Sequence, residues 1–164
     1  MASKEDDEWS ESGDVAGLDD VAAEAEDGKL DGVDLELEIT ESSLMDNPQL
    51  AEKKISAIKG LGVNIALDDF GTGYSSLAYL KRYPVDVLKI DRSFISDLVE
   101  DADDREIVET IIGMAKNLGL SVVAEGIESK AQAEFLLAHG CHSAQGYYYS
   151  RPLEFSDCTK LFMK

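Results

Sequence analysis

Cysteines, basic side chains and long apolar runs are all scarce in this chain of 164 residues. Its two cysteines, Cys141 and Cys158, cannot build a disulfide framework. No charged-then-apolar leader opens the chain, so a reducing, cytoplasmic setting is expected. No apolar run approaches the ~20 residues of a membrane span, and membrane insertion is not expected. Only 15 Lys and Arg face 34 Asp and Glu, for a net charge of -19. That balance argues against DNA or RNA as partner, because a phosphate-backbone clamp needs the opposite sign, and against an anionic membrane surface. A phosphate-bearing ligand would need metal ions to approach.

The acids are unevenly spread. Thirteen of the 34 fall in the first 34 residues, against two bases, Lys4 and Lys29. Alanine supplies many of the apolar positions there, and such a segment buries too little to offset its ordering entropy. Residues 1–34 are therefore expected to be a disordered or loosely helical acidic segment, with Trp9, Leu18 and Val21 leaving room for a docked helix. Residues 35–164 read differently. Short apolar strands alternate with amphipathic helices, the pattern of a parallel sheet in an α/β protein. Strands are predicted at Leu35–Thr40, Val63–Asp68, Val85–Asp91, Ser121–Glu125 and Ser143–Tyr149. Asn47 and Pro48 start a helix whose stripe is Leu50, Ile55, Ile58 and Leu61, ended by Gly62. Ser75 starts a short helix that Pro84 closes off. Ile107, Val108, Ile111, Ile112, Ala115 and Leu118 mark a longer helix ended by Gly119. Ser129 and Gln132 form a capping box before Phe135 and Leu136.

In parallel α/β folds the carboxyl ends of the strands converge on one rim. Here the rim carries Glu38 and Glu41, then Asp68 and Asp69, then Lys89 and Asp91, then Glu125 and Glu128, then Gln145. Oxygen ligands from several strands suit Mg²⁺, Mn²⁺ or Ca²⁺. Acids at strand ends also cap helices and face water, so the residues alone reach a divalent-metal hydrolase or binder and no further. Lys89 and Asp91 lie two apart and face one side of their strand. Asp69-Phe70-Gly71 spells a kinase magnesium triplet without any other kinase element. His139, Cys141 and His142 fall between a helix and the next strand, away from the rim, and read as a connecting loop. Tyr147, Tyr148 and Tyr149 read as strand residues packing on both faces.

Five motifs in order, Leu37-Glu38-Ile39-Thr40-Glu41-Ser42, Asp68-Asp69-Phe70-Gly71-Thr72-Gly73-Tyr74-Ser75-Ser76-Leu77, Leu88-Lys89-Ile90-Asp91, Ala124-Glu125-Gly126-Ile127-Glu128 and Gln145-Gly146-Tyr147, resemble the EAL domain. This family comprises bacterial phosphodiesterases that linearise cyclic di-GMP to pGpG. The resemblance covers about residues 33–164 and implies a two-metal site using Mg²⁺ or Mn²⁺. It implies Glu38 and Asp68 as ligands of one metal and Asp69 as the ligand nearer the second. Asp91 resembles a further acid of the metal site. Glu125 resembles a catalytic-centre residue that is metal ligand, general base or both. Lys89 and Gln145 resemble the groups that position the attacking water. Glu41 resembles the anchor of the loop after Asp69, and Glu128 is grouped with it in the acidic cluster. Glycines 71 and 73 would permit the tight loop beside the metals.

The family's Glu-Ala-Leu strand and the following asparagine strand are not found. The 14 residues from Glu24 to Glu38 are too few for two strands with crossover helices. A complete barrel needs roughly 250 residues. The expected fold is thus α/β, an incomplete TIM-barrel-like (β/α) array of about five parallel strands with intervening helices. The expected function is that portion of a cyclic di-GMP phosphodiesterase, inactive as an isolated chain. The alternative is a non-catalytic EAL module for nucleotide binding or protein interaction. Open sheet edges lead to a further expectation, self-association or a complementing chain.

Overall fold

A computed structural model describes residues 35–72, 77–154, 157–158 and 160. The expectations for residues 1–34, Gly73 and Ser75 lie outside the described residues. Five strands, β1 (Glu36–Thr40), β2 (Asn64–Phe70), β3 (Val87–Ile90), β4 (Ser121–Ala124) and β5 (Ser143–Ala144), pair in parallel in chain order. The helices are α1 (Glu41–Asp46), α2 (Pro48–Gly60), α3 (Leu77–Arg82), α4 (Arg92–Ser96), α5 (Ala102–Leu118) and α6 (Lys130–Ala138). Each crossover carries at least one of them, as parallel pairing demands. Among the described residues no helix is long and apolar enough to cross a membrane.

The core joins strand residues Ile39, Ile65, Leu67, Leu88 and Ile90 to the helix residues Ile55, Ile58, Val108, Ile112 and Leu136. Two stripes differ at their margins from the sequence reading. In α2 the buried residues are Ala51, Ile55 and Ile58, while Leu50 and Leu61 are exposed. Leu50 sits one residue, about 100°, off that face, and Leu61 is already the C-cap. In α5 the buried set is Val108, Ile111, Ile112 and Ala115, leaving Ile107 and Leu118 on the outside. Gly119 ends that helix at φ 75°, as its position past the stripe predicts. At the amino ends of the strands Asp86 accepts from Lys59 Nζ at 2.7 and 2.9 Å and from the Ile65 N–H at 2.8 Å, tying α2 to the sheet.

The fifth strand is the larger correction. It spans two residues, not seven, and Tyr147, Tyr148 and Tyr149 form an exposed turn. After Gln145 N–H donates to Ala124 O, the chain crosses the loop following β4, with Ile127 N–H bonded to Gln145 O and Tyr148 N–H to Ile127 O. Those amides leave the ladder, so strand propensity in the tyrosines is overridden by the crossing.

Gln132 does more than cap. Its buried side chain accepts from the N–H groups of Glu128 and Ser129, both at 2.9 Å, and donates to Ile95 O at 2.8 Å. It thereby fastens α6 to the end of α4. Gln132→Met keeps the volume but orphans these groups, and should lower unfolding free energy by about 2–3 kcal/mol in a urea titration. A loss under 0.5 kcal/mol would contradict this role.

Candidate functional site

The rim at the carboxyl ends of β1 to β5 brings the expected residues into one network centred on Lys89. This lysine stands on the central strand, with its side chain 4% exposed. Its ammonium lies 2.7 Å from Glu38 Oε1 on β1, 3.3 Å from Asp68 Oδ2 on β2 and 2.7 Å from Glu125 Oε1 just after β4. Gln145, just after β5, donates from Nε2 to Glu125 Oε1 at 2.6 Å. Four strand ends and the central strand thus meet at one point.

The Asp68–Asp69 pair is set by a backbone irregularity. The β2–β3 register shifts between Leu67 and Phe70, and Asp69 has φ 55°. Aspartate tolerates this left-handed conformation better than most residues. The shift frees two consecutive carboxylates from strict alternation. Asp68 meets Lys89 and receives the Asp69 N–H at 2.9 Å, while the Asp69 carboxyl neighbours that of Asp91. Asp91 is the N-cap of α4, its Oδ1 accepting from the Ser93 N–H at 2.9 Å and from the Ser93 hydroxyl.

The electrostatics follow from this crowding. Burial alone would lower the Lys89 pKa, but hydrogen bonds to Glu125 and Glu38 and the charges of Glu125 and Asp68 hold it above the ordinary lysine value. Burial raises Glu125, with Asp68 and Glu38 adding to it and Lys89 opposing. Burial, followed by repulsion from Asp68 and Asp91, raises Asp69. Burial pushes Asp91 up as well, yet its bonds from Ser93, the Arg92 N–H and Asp69 bring it below the ordinary aspartate value.

Two expected residues are the loop anchors. Glu41 opens α1, and the loop after Asp69 that it is expected to anchor includes residues 73–76, outside the described residues. Glu128 is exposed, and its backbone N–H is held by Gln132. Away from the rim, His139 caps α6, bonding Phe135 O and Glu109, and Cys141 is buried, in keeping with a connecting loop.

A divalent cation can be tested against this arrangement. The donor atoms suit it, since Glu38, Asp68, Asp69, Asp91 and Glu125 all offer hard carboxylate oxygens. Their placement fits less completely: among the described residues no three Asp, Glu, His or Cys side chains form a metal cage, and three of the carboxylates close on the Lys89 ammonium.

Beside Glu125 and Gln145 opens a cavity of about 710 Å³ that also includes Arg92, Tyr147, Arg151 and Leu153. The sequence reading missed Arg92 and Arg151. Arg92 could have been noticed as the base following Asp91; Arg151 carries no signal in one dimension.

The EAL domain family model matches residues 12–152, starting upstream of the segment whose motifs carry the resemblance. The cyclic di-GMP phosphodiesterase NbdA of Pseudomonas aeruginosa is 48% identical over 136 residues, which are 83% of this chain and 17% of NbdA. The solved MucR phosphodiesterase of the same organism, in complex with c-di-GMP, superposes with a TM-score of 0.80 at 44% identity, over 87% of this chain and 58% of that one. BlrP1 of Klebsiella pneumoniae, solved with manganese and cyclic di-GMP, gives 0.67 at 32% identity over 71% of this chain and 30% of its own. The chain therefore spans less than a fifth of the NbdA sequence.

Proposed function

The chain belongs to the EAL domain family, and from that premise we propose that its rim is part of a metal-dependent site that binds cyclic di-GMP and hydrolyses it to the linear dinucleotide. The observation that carries this reading is the convergence of Glu38, Asp68 and Glu125 on the buried Lys89, with Gln145 bonded to Glu125. Relatives solved with cyclic di-GMP, one of them with manganese, support it.

Glu38, Asp68 and Glu125 would hold one metal, and Asp69 with Asp91 would serve the second. When bound, such ions acidify a water and neutralise the phosphodiester. The chain's own residues do the rest. The ionised Glu125 accepts a proton from the attacking water, and burial, which raises its pKa, makes it a better base. Lys89 stays charged throughout the neutral range, fixes Glu125 in place and sets its positive charge beside the charge developing on phosphate oxygen. Gln145 holds the second direction of Glu125 by its amide. Asp91, locked by Ser93, stands beside Asp69.

A second reading, nucleotide binding without turnover, is favoured by one observation: the carboxylates close on Lys89 instead of forming a cage. Incubating the chain with cyclic di-GMP and Mn²⁺, and following products by ion-exchange chromatography, separates the two. Linear pGpG that disappears in Glu125→Gln supports hydrolysis. Metal-dependent binding without product supports the second reading.

A further inference from the structure

Arginine is unusual in this rim. In a chain with 34 acids, ion pairs are easily made, yet among the described residues neither Arg92 nor Arg151 is in one. Both border the 710 Å³ cavity that opens from Glu125 and Gln145, a size suited to a nucleotide moiety. Arg151 is held there by the ring of Tyr147, its guanidinium carbon 4.8 Å from the ring centroid. The contact restrains the guanidinium against the ring, and among the described residues its N–H donors have no hydrogen-bond partner.

We propose that Arg151, oriented by Tyr147, is a specificity-determining residue that reads the O6 and N7 acceptors of a guanine base seated in this cavity. The assignment rests on the cyclic di-GMP reading of the adjacent site. A planar fork with donors only pairs with two adjacent acceptors, which guanine presents. Adenine presents an amino donor in place of O6, so the fork meets a donor and loses one bond. Arg92, next to Asp91 and on the Glu125 side of the cavity, is left to face the phosphodiester. The close approach of the loop after β4 to the start of α4 depends on Gly126, where a Cβ would lie 2.6 Å from Arg92 Cβ.

Calorimetric titration of cyclic di-GMP and cyclic di-AMP into the full 164-residue chain with Mn²⁺ tests the assignment, using wild type, Arg151→Ala and Arg151→Lys. Wild type should prefer cyclic di-GMP by at least about tenfold. Arg151→Ala should lose about 10–100-fold for cyclic di-GMP and little for cyclic di-AMP, the discrimination expected of one bidentate pair. Lysine should fail to restore it, because a point charge lacks the fork. Equal losses for both nucleotides, rescue by lysine, a change under twofold, or wild-type binding of neither nucleotide would overturn the proposal. Guanine-selective binding without any pGpG would instead remove the hydrolytic reading and leave the clamp standing. Turnover with an Arg151→Ala KM equal to wild type would do the reverse.

Discussion

Replacing Lys89 with methionine is expected to destabilise the metal-free chain by about 3 kcal/mol and to cut turnover of cyclic di-GMP at least about 100-fold. The first figure is the low end of what removing one partner of a buried ion pair costs, because Glu38 is half exposed and can turn to water. Asp68 and Glu125, at 20% and 17% side-chain exposure, have less freedom and would face each other without a counter-charge. The second figure is the usual contribution of a group acting on proton transfer.

A pH signature separates this from a simple packing defect. Because the folded-state pKa of Lys89 is raised, its stabilisation is fully present below the unfolded value of about 10.4 and is lost as pH rises through the folded one. Glu125, also raised, takes up a proton on the acid side above the ordinary glutamate range and gives up its pair with Lys89. The difference in unfolding free energy between wild type and Lys89→Met should therefore be flat across neutral pH and shrink at both extremes. A difference that does not change with pH would show that the lysine acts through packing alone.

Gly146→Ala is the other large effect. A Cβ there would lie 2.2 Å from both the N and the O of Ile127, closer than any real contact and against backbone that cannot swing away. The crossing must open, breaking Ile127 N–H to Gln145 O and Tyr148 N–H to Ile127 O. Overpacking costs about 1–3 kcal/mol and each lost hydrogen bond about 1, so a loss of about 3–5 kcal/mol is expected in urea. Gln145 would move with the strand end, leaving Glu125 without its amide partner. Hydrogen exchange at Ile127 and Tyr148 should accelerate while exchange in α5 is affected only through global stability. An alanine variant within 0.5 kcal/mol of wild type, with both amides still protected, would contradict the crossing.

Much of this architecture is legible in one dimension because it rests on local rules. The Asn47–Pro48 start, the Gly119 stop and the Ser129–Gln132 box each satisfy terminal backbone groups within one turn, and the structure contains all of them. The rim carboxylates and Lys89 were legible because strand ends converge in any parallel array. What was not legible depends on contacts between distant segments. Three consecutive tyrosines favour a strand until the loop after β4 takes the Tyr148 amide and Gly146 O takes that of Tyr149. Gln132 reads as a cap, but its bond to Ile95 O, 37 residues away, has no sequence signal. Two successive aspartates reach the rim only because β2 shifts register between Leu67 and Phe70. Glu128 is grouped with the rim acids by its place in the sequence, yet the positive φ of Gly126 lies between it and Glu125, and Glu128 is exposed.

Metal-linked nucleotide binding tests the central claim most directly. Cyclic di-GMP titrated into the 164-residue chain by calorimetry, with Mn²⁺ and then with the metal chelated, should show saturable one-to-one binding only in the first case. Asp68→Asn should weaken it at least about tenfold, as loss of a carboxylate donor demands. Binding of equal strength with and without metal, or unchanged in Asp68→Asn, would contradict the assignment of this rim as a divalent-metal site for the cyclic dinucleotide.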